Sequence, residues 1–259
     1  MSGEIPMPAA AVLAFALVAA RVAGAVAFVP IPGLRTAPLV PKIVLTLTLT
    51  AALSPVWTPI RIAPASPSVL ILWTLSELAF GLTVGVAIAF LNEGFVLASQ
   101  IFGLQAGYGY ASTIDPATQA DSSVLQLLAH LSTGLLFFAL GLDREVIRVF
   151  AQSLERFPPG AYAPGAVSAG QVLSLGGVMF ATAVKMALPV VALMTLVDIS
   201  LALLGRINSQ LPLLMLAFPA KMLISIGVLA ATAALMPELY RSAAVFTWQR
   251  FGLLLASNP

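Results

Sequence analysis

Seven ionisable side chains lie within or beside apolar runs of this sequence: Arg21, Glu77, Glu93, Lys185, Asp198, Arg206 and Lys221. A carboxylate held in an apolar setting can take up and hand on a proton, so these residue types invite a proton or ion relay. A charge at the centre of a spanning helix costs about 2.5 to 3.5 kcal/mol on insertion scales, so each of these ions needs a partner or water. Two other readings compete with the relay. Long cations such as Lys185 and Lys221 can lay their stems along apolar surface and keep the ammonium in water. Alternatively, partner subunits surround these segments in place of lipid. The residues alone leave all three readings open.

Hydrolytic chemistry fares worse. Glu77 and Glu93 are sixteen positions apart. On a straight helix that spacing sets them about 160° apart, so they form no acid/base dyad on one face. Cysteine is absent and His130 is the single histidine, which excludes thiolate sites, iron–sulfur clusters, HExxH motifs and His-rich metal cages. His130 itself, alone in an apolar run, reads as a hydrogen-bonded core or interface residue. No G-x-x-x-x-G-K-[ST] occurs, so energy for any transport comes from elsewhere. We therefore expect no enzyme, no cofactor and no metal site. Twelve Lys and Arg against ten Asp and Glu leave a net charge of +2, too small a surplus for a nucleic-acid face.

The elements that position these ions are membrane helices. The 259 residues are 60% hydrophobic and 8% charged, with a mean hydropathy of +1.03. A soluble domain carries about 25% charged residues, so lipid is the natural solvent for most of this surface. We expect an all-α membrane protein, one integral domain over 1–259, with about six apolar segments near 7–29, 43–57, 68–102, 122–142, 168–204 and 211–236. The first is a retained helix, because Glu4 and no Lys or Arg precede Arg21. Ala16, Ala20 and Gly24 recur every four residues, as do Gly81, Gly85 and Ala89, and both stripes let another helix approach closely. Between spans, residues 30–41 and 55–67 are proline-rich connections, 143–156 is a mixed-charge helical segment and 153–165 is a turn and linker. The tail from Glu238 looks interfacial. Six spans with both ends inside place six arginines in the cytoplasm against three cations outside, a weak positive-inside asymmetry.

One stretch breaks this pattern. Gly103, Gln105, Gly107, Tyr108, Gly109 and Tyr110 are followed by Ile114, Asp115 and Pro116, and the segment ends near Asp121. Three glycines in seven residues and then Asp-Pro disfavour a continuous helix. Irregular backbone between apolar spans must be buried in protein or line a wet cavity. An ordinary exposed inter-helix loop is the other reading.

Taken in order, several motifs resemble the FliR family of flagellar biosynthesis proteins and its type III secretion counterpart, the SctT family. The first is Arg21-x-x-Gly24, followed by Pro30-x-Pro-Gly and Pro41. The second is Glu77-x-x-x-Gly81-x-x-x-Gly85, leading into Gln100-x-x-Gly103-x-Gln105-x-Gly107 and Asp115-Pro116. The third runs from Lys185, Pro189 and Asp198 through Leu203-Leu-Gly-Arg206 to Gln210, then Phe218-Pro219-x-Lys221. The chain departs from the family pattern at Ser209, where Pro is common, and at Pro212, where Asn is common. The resemblance covers nearly the whole chain. It implies a single-copy, non-enzymatic subunit of an export gate in the bacterial inner membrane, at a flagellar basal body or injectisome base. The implied partners are FliP-like and FliQ-like subunits, an FlhB-like switch subunit and unfolded export substrates, with membrane lipid around the assembly. The implied fold is a set of bent helical hairpins held largely by partner subunits. It also implies that 103–121 is a plug closing the pore, with Tyr108, Tyr110 and Ile114 as its seal. The rival on the residues alone is a secondary transporter coupling through Glu77, Glu93 and Asp198, although no related halves are found.

Overall fold

The computed structural model describes residues 7–29, 38–57, 66–107, 123–163, 166–207 and 213–256, and among these every regular element is an α-helix. In chain order they are α1 (Met7–Val26), α2 (Leu39–Ala52), α3 (Pro67–Ala106), α4 (Ser123–Ala139), α5 (Leu142–Arg156), α6 (Ala166–Ile207), α7 (Leu213–Ala233) and α8 (Met236–Ala256). Three of them, α1, α3 and α6, are long and apolar enough to cross a membrane. The bent pairs α4–α5 and α7–α8 qualify as two more, and α2 is a shorter apolar helix. The protein is an all-α membrane protein built from long apolar helices and bent helix pairs.

The helix boundaries have local causes. Pro67 occupies the first helical position of α3, where its missing N–H is needed by no carbonyl, and the Ser66 carbonyl accepts from Val69 and Leu70. In α2, Pro41 is likewise tolerated inside the first turn, so this helix starts at Leu39, earlier than the expected Ile43. It also stops at Ala52, short of Trp57. At about 1.5 Å per residue, the 40 residues of α3 and the 42 of α6 each reach about 60 Å, twice the hydrocarbon thickness of a bilayer. The expected span 122–142 ends sooner, because Gly141 takes a left-handed conformation (φ +70°) and bends the chain into α5. In α5, Asp143 and Glu145 occupy the first turn and Arg156 the last, each favourable to the helix dipole.

The chain packs as two compact units. The first comprises residues 1–90, 137–175 and 246–259, and the second 91–136 and 176–245. In the first unit α1 packs against α2, and α1 meets α3 through glycines. A Cβ on Gly24 would lie 2.6 Å from the Leu78 carbonyl oxygen, and one on Gly85 2.9 Å from the Ala25 carbonyl oxygen. The two backbones touch there, so side chains are excluded at both positions. On the α1 stripe Gly24 makes this contact, Ala20 is half-buried and Ala16 is exposed. The α5 face carrying Val146, Phe150 and Leu154 is buried, with Phe80 set edge-on to both Phe150 and Tyr162.

In the second unit, Phe102, Ala106, Leu125, Val190 and Met194 form the core, flanked by Ile224, Val228 and Leu229. Gly94 lets α3 approach the α6 backbone at Met179, whose carbonyl oxygen a Cβ would meet at 3.2 Å. The α7–α8 pair is bent by 56°. In α8 Tyr240 and Ala244 are buried in protein, as is Thr247 in the part of this helix that belongs to the first unit, so the tail is not wholly interfacial.

Candidate functional site

The first unit contains an ion cluster sealed from solvent. Arg21 on α1 is fully buried, and its Nε donates to Glu77 Oε2 on α3, which is also fully buried. Its Nη1 donates to Ser153 Oγ at 3.0 Å on α5, and its Nη2 to the Phe157 carbonyl oxygen at 3.1 Å. The guanidinium carbon stands 5.1 Å from the centre of the Phe80 ring, a cation–π contact. Glu77 accepts a second bond at Oε1 from the Gly160 N–H, at 2.8 Å. Gly160 has φ +84°, a conformation that glycine adopts without strain, and its neighbour on that side is the Trp73 ring. A buried ion pair is tolerable only when its polar atoms find partners, and here each guanidinium nitrogen and each carboxylate oxygen has one. The cluster ties together α1, α3, α5 and the turn after α5. The segment 157–163 is therefore a closing element of this site and not a plain linker.

This arrangement bears on the relay reading. Glu77 is held by the Arg21 guanidinium and the Gly160 N–H, and so joins α3 to α1 and to the turn after α5. Glu93, on another face of α3, is half-buried.

The ions of the second unit are arranged differently. Lys221 on α7 pairs with Asp198 on α6, and the Asp198 side chain remains 45% exposed. Lys185 and Arg206 are exposed on α6. Gln105, at the end of α3, donates from Nε2 to Thr195 Oγ1 on α6 at 3.4 Å. Tyr240 on α8 donates to Asn92 Oδ1 on α3 at 2.8 Å, and both are buried. His130 is half-buried on α4. Of the charged α5 residues, Arg148 pairs with Glu145 at 2.6 Å on the exposed side. Among the described residues no group of three His, Asp or Glu could hold a metal ion.

The glycine-rich segment is helical at its start. Gly103 and Gln105 belong to the last turn of α3, which runs to Ala106, so the irregular stretch begins four residues later than expected. Gly107 ends the helix with φ +84°, its N–H donating to the Leu104 carbonyl. Tyr108, Gly109, Tyr110, Ile114, Asp115 and Pro116 lie outside the described residues, as do Arg35, Arg61, Ser209, Gln210 and Pro212.

Sequence reasoning singled out Arg21, Glu77 and the packing glycines but missed their partners. Ser153, the Phe157 carbonyl and Gly160 carried no ion signal, although Pro158-Pro159-Gly160 marks the turn that delivers two of them. Asn92 and Tyr240 were missed as well. The one available hint was an amide inside an apolar run, which needs a hydrogen-bond partner.

The comparisons with known proteins agree with this architecture. Residues 12–245 match the family model described as bacterial export proteins, family 1. The flagellar biosynthetic protein FliR of Escherichia coli K12 is 26% identical over 218 residues, covering 84% of this chain and 82% of that one. FliR of Pectobacterium carotovorum is 25% identical, covering 76% and 75%, and FliR of Aquifex aeolicus is 24% identical, covering 61% and 60%. With nine-tenths of its length inside that model and FliR proteins matching it across most of their own lengths, this chain belongs to the FliR family of bacterial export proteins.

Proposed function

We propose that this chain is a non-enzymatic subunit of a flagellar export gate that helps form and close a pore for unfolded export substrates. As a member of the FliR family it is a component of an export apparatus, and its long apolar helices suit a membrane location. The finer reading places it in the bacterial inner membrane at the basal body, as one integral domain beside FliP-like, FliQ-like and FlhB-like subunits.

The observation that carries the pore reading is the end of α3. A 40-residue apolar helix is stopped at Gly107 by a left-handed turn, within the glycine-rich stretch that begins at Gly103. Backbone that leaves a helix between apolar spans needs a protein-lined or wet surrounding. A glycine-rich plug meets that need, because it packs compactly in a narrow lumen and rearranges at low conformational cost. The transporter reading is weaker, since Glu77, one of its three coupling carboxylates, is bound within the Arg21 cluster.

The test is ion leakage through the assembled gate. Deleting residues 107–112, or replacing Gly109 with Glu, should raise single-channel conductance in planar bilayers from a closed baseline to persistent openings. Conductance equal to that of the unaltered gate would remove the plug.

A further inference from the structure

We propose that the second unit carries a binding site for one acyl chain of an anionic phospholipid, with the phosphate held by Lys185. The cavity that suggests it measures about 220 Å³ and is walled by buried Phe95, Phe102, Leu125 and Val190, with exposed Leu128 and Leu239 at its rim. An apolar cavity of about 150 Å³ already accommodates a benzene ring and stays dry, so this larger one offers room for a chain segment and little inducement to water. Its polar lining is sparse. The hydroxyls of Ser99 and Thr232 are turned back onto the carbonyls of Val96 and Val228 in their own helices. Lys185 is the one charged residue of the lining, and it forms no ion pair among the described residues. A mouth that combines hydrocarbon walls with a single cation matches a molecule that joins a hydrocarbon chain to an anion.

The cavity lies beside the bend between two helices. The lining includes Leu229 to Ala233 at the C-terminal end of α7, and Leu235, Met236 and Leu239 at the bend into α8. Exposed Glu238 and Arg241 follow within two turns. A lysine beside anionic lipid contributes about fivefold in binding.

The site does not depend on the plug. Its test uses the full chain in detergent micelles, with retained lipid counted by native mass spectrometry. Phosphatidylglycerol should be retained about fivefold more than phosphatidylcholine of identical chains. Lys185→Gln should abolish that preference, Lys185→Arg should keep it, and Ala129→Leu, which fills the cavity, should lower retention of both lipids. A thermal melt of each variant separates these effects from misfolding. Equal retention of the two lipids by the unaltered chain, or a preference that survives in Lys185→Gln, would overturn the proposal. In the assembled gate, phosphatidylglycerol carrying a diazirine in its acyl chain should label the peptide containing Phe102 or Leu128. Failure to label there, with a partner subunit cross-linking at those residues instead, would give the cavity to a protein and sink the lipid site.

Discussion

The two units differ in how they treat the ions set within their long apolar helices. The first buries Arg21 and Glu77 completely and surrounds them with Ser153, the Phe157 carbonyl, the Gly160 N–H and the Phe80 ring. The second leaves Lys185, Arg206 and half of Asp198 exposed, alongside uncovered apolar residues such as Phe180, Leu188, Leu196 and Leu203. The apolar window of α1, in the first unit, is 50% buried, whereas that of α6, from Val172 onward, is 17% buried. The difference separates cohesion from contact. A charge whose donors and acceptors are all satisfied inside the chain holds that chain together. A charge left at an open apolar face is available to lipid or to a neighbouring subunit, which is what the snorkelling and partner readings of these ions require.

The largest effect should come from opening the buried cluster. Replacing Glu77 with Leu leaves a guanidinium buried without its counter-charge, which costs about 3 to 5 kcal/mol. The yield of folded chain in the membrane, measured by protease resistance, should collapse. Arg21→Met combined with Glu77→Leu should recover most of it, because two apolar groups can fill the same volume without an unpaired ion. If the single replacement is harmless, the first unit is not held as described.

A smaller contrast lies in the glycines. Gly24→Ala places a methyl group against the Leu78 carbonyl and the Leu82 nitrogen and should cost about 1 to 3 kcal/mol through displacement of α1 from α3. Gly177→Ala and Gly227→Ala meet open space in the second unit and should be neutral or stabilising by up to about 1 kcal/mol. Thermal melts of the three variants in one detergent would place them on a common scale. Equal shifts would mean that the close approach in the first unit is unimportant.

The smallest expected effect on the isolated chain is at Asp198 and Lys221. The Asp198 side chain is 45% exposed and that of Lys221 15% exposed, so the pair is incompletely desolvated and contributes about 1 kcal/mol, and Lys221→Leu should move the melting point little. Co-purification with FliP-like and FliQ-like subunits is the sharper readout. Loss of co-purification at unchanged stability would assign the pair to an intersubunit contact. Normal assembly in both Lys221→Leu and Arg206→Leu would instead leave these cations as groups that reach water along the helix surface.

Much of this was legible from residue order. The 8% charge content, the lengths of the apolar runs and the prolines at their edges place the helices, because hydropathy and helix termination are local properties of the chain. Boundaries slipped where one residue's conformation decided them. Gly141 could have continued a helix, and Gly103 did continue one, with Gly107 taking the left-handed turn four residues later. The small-residue periodicity also pointed to close helix contacts without saying which helices would meet.

What only the tertiary structure decided is pairing. Arg21 and Glu77 are 56 positions apart, and Gly160 reaches Glu77 across 83. Nothing periodic links such residues, so their association depends on how closely α1 and α3 approach through Gly24, Gly81 and Gly85, and on the turn that Gly160 permits. The sequence by itself determined that ions would stand among apolar helices and that each would need an answer. Whether the answer came from within the chain, as for Arg21, or was left to lipid and neighbours, as for Lys185, was decided by packing, because desolvation depends on everything that surrounds a charge in space.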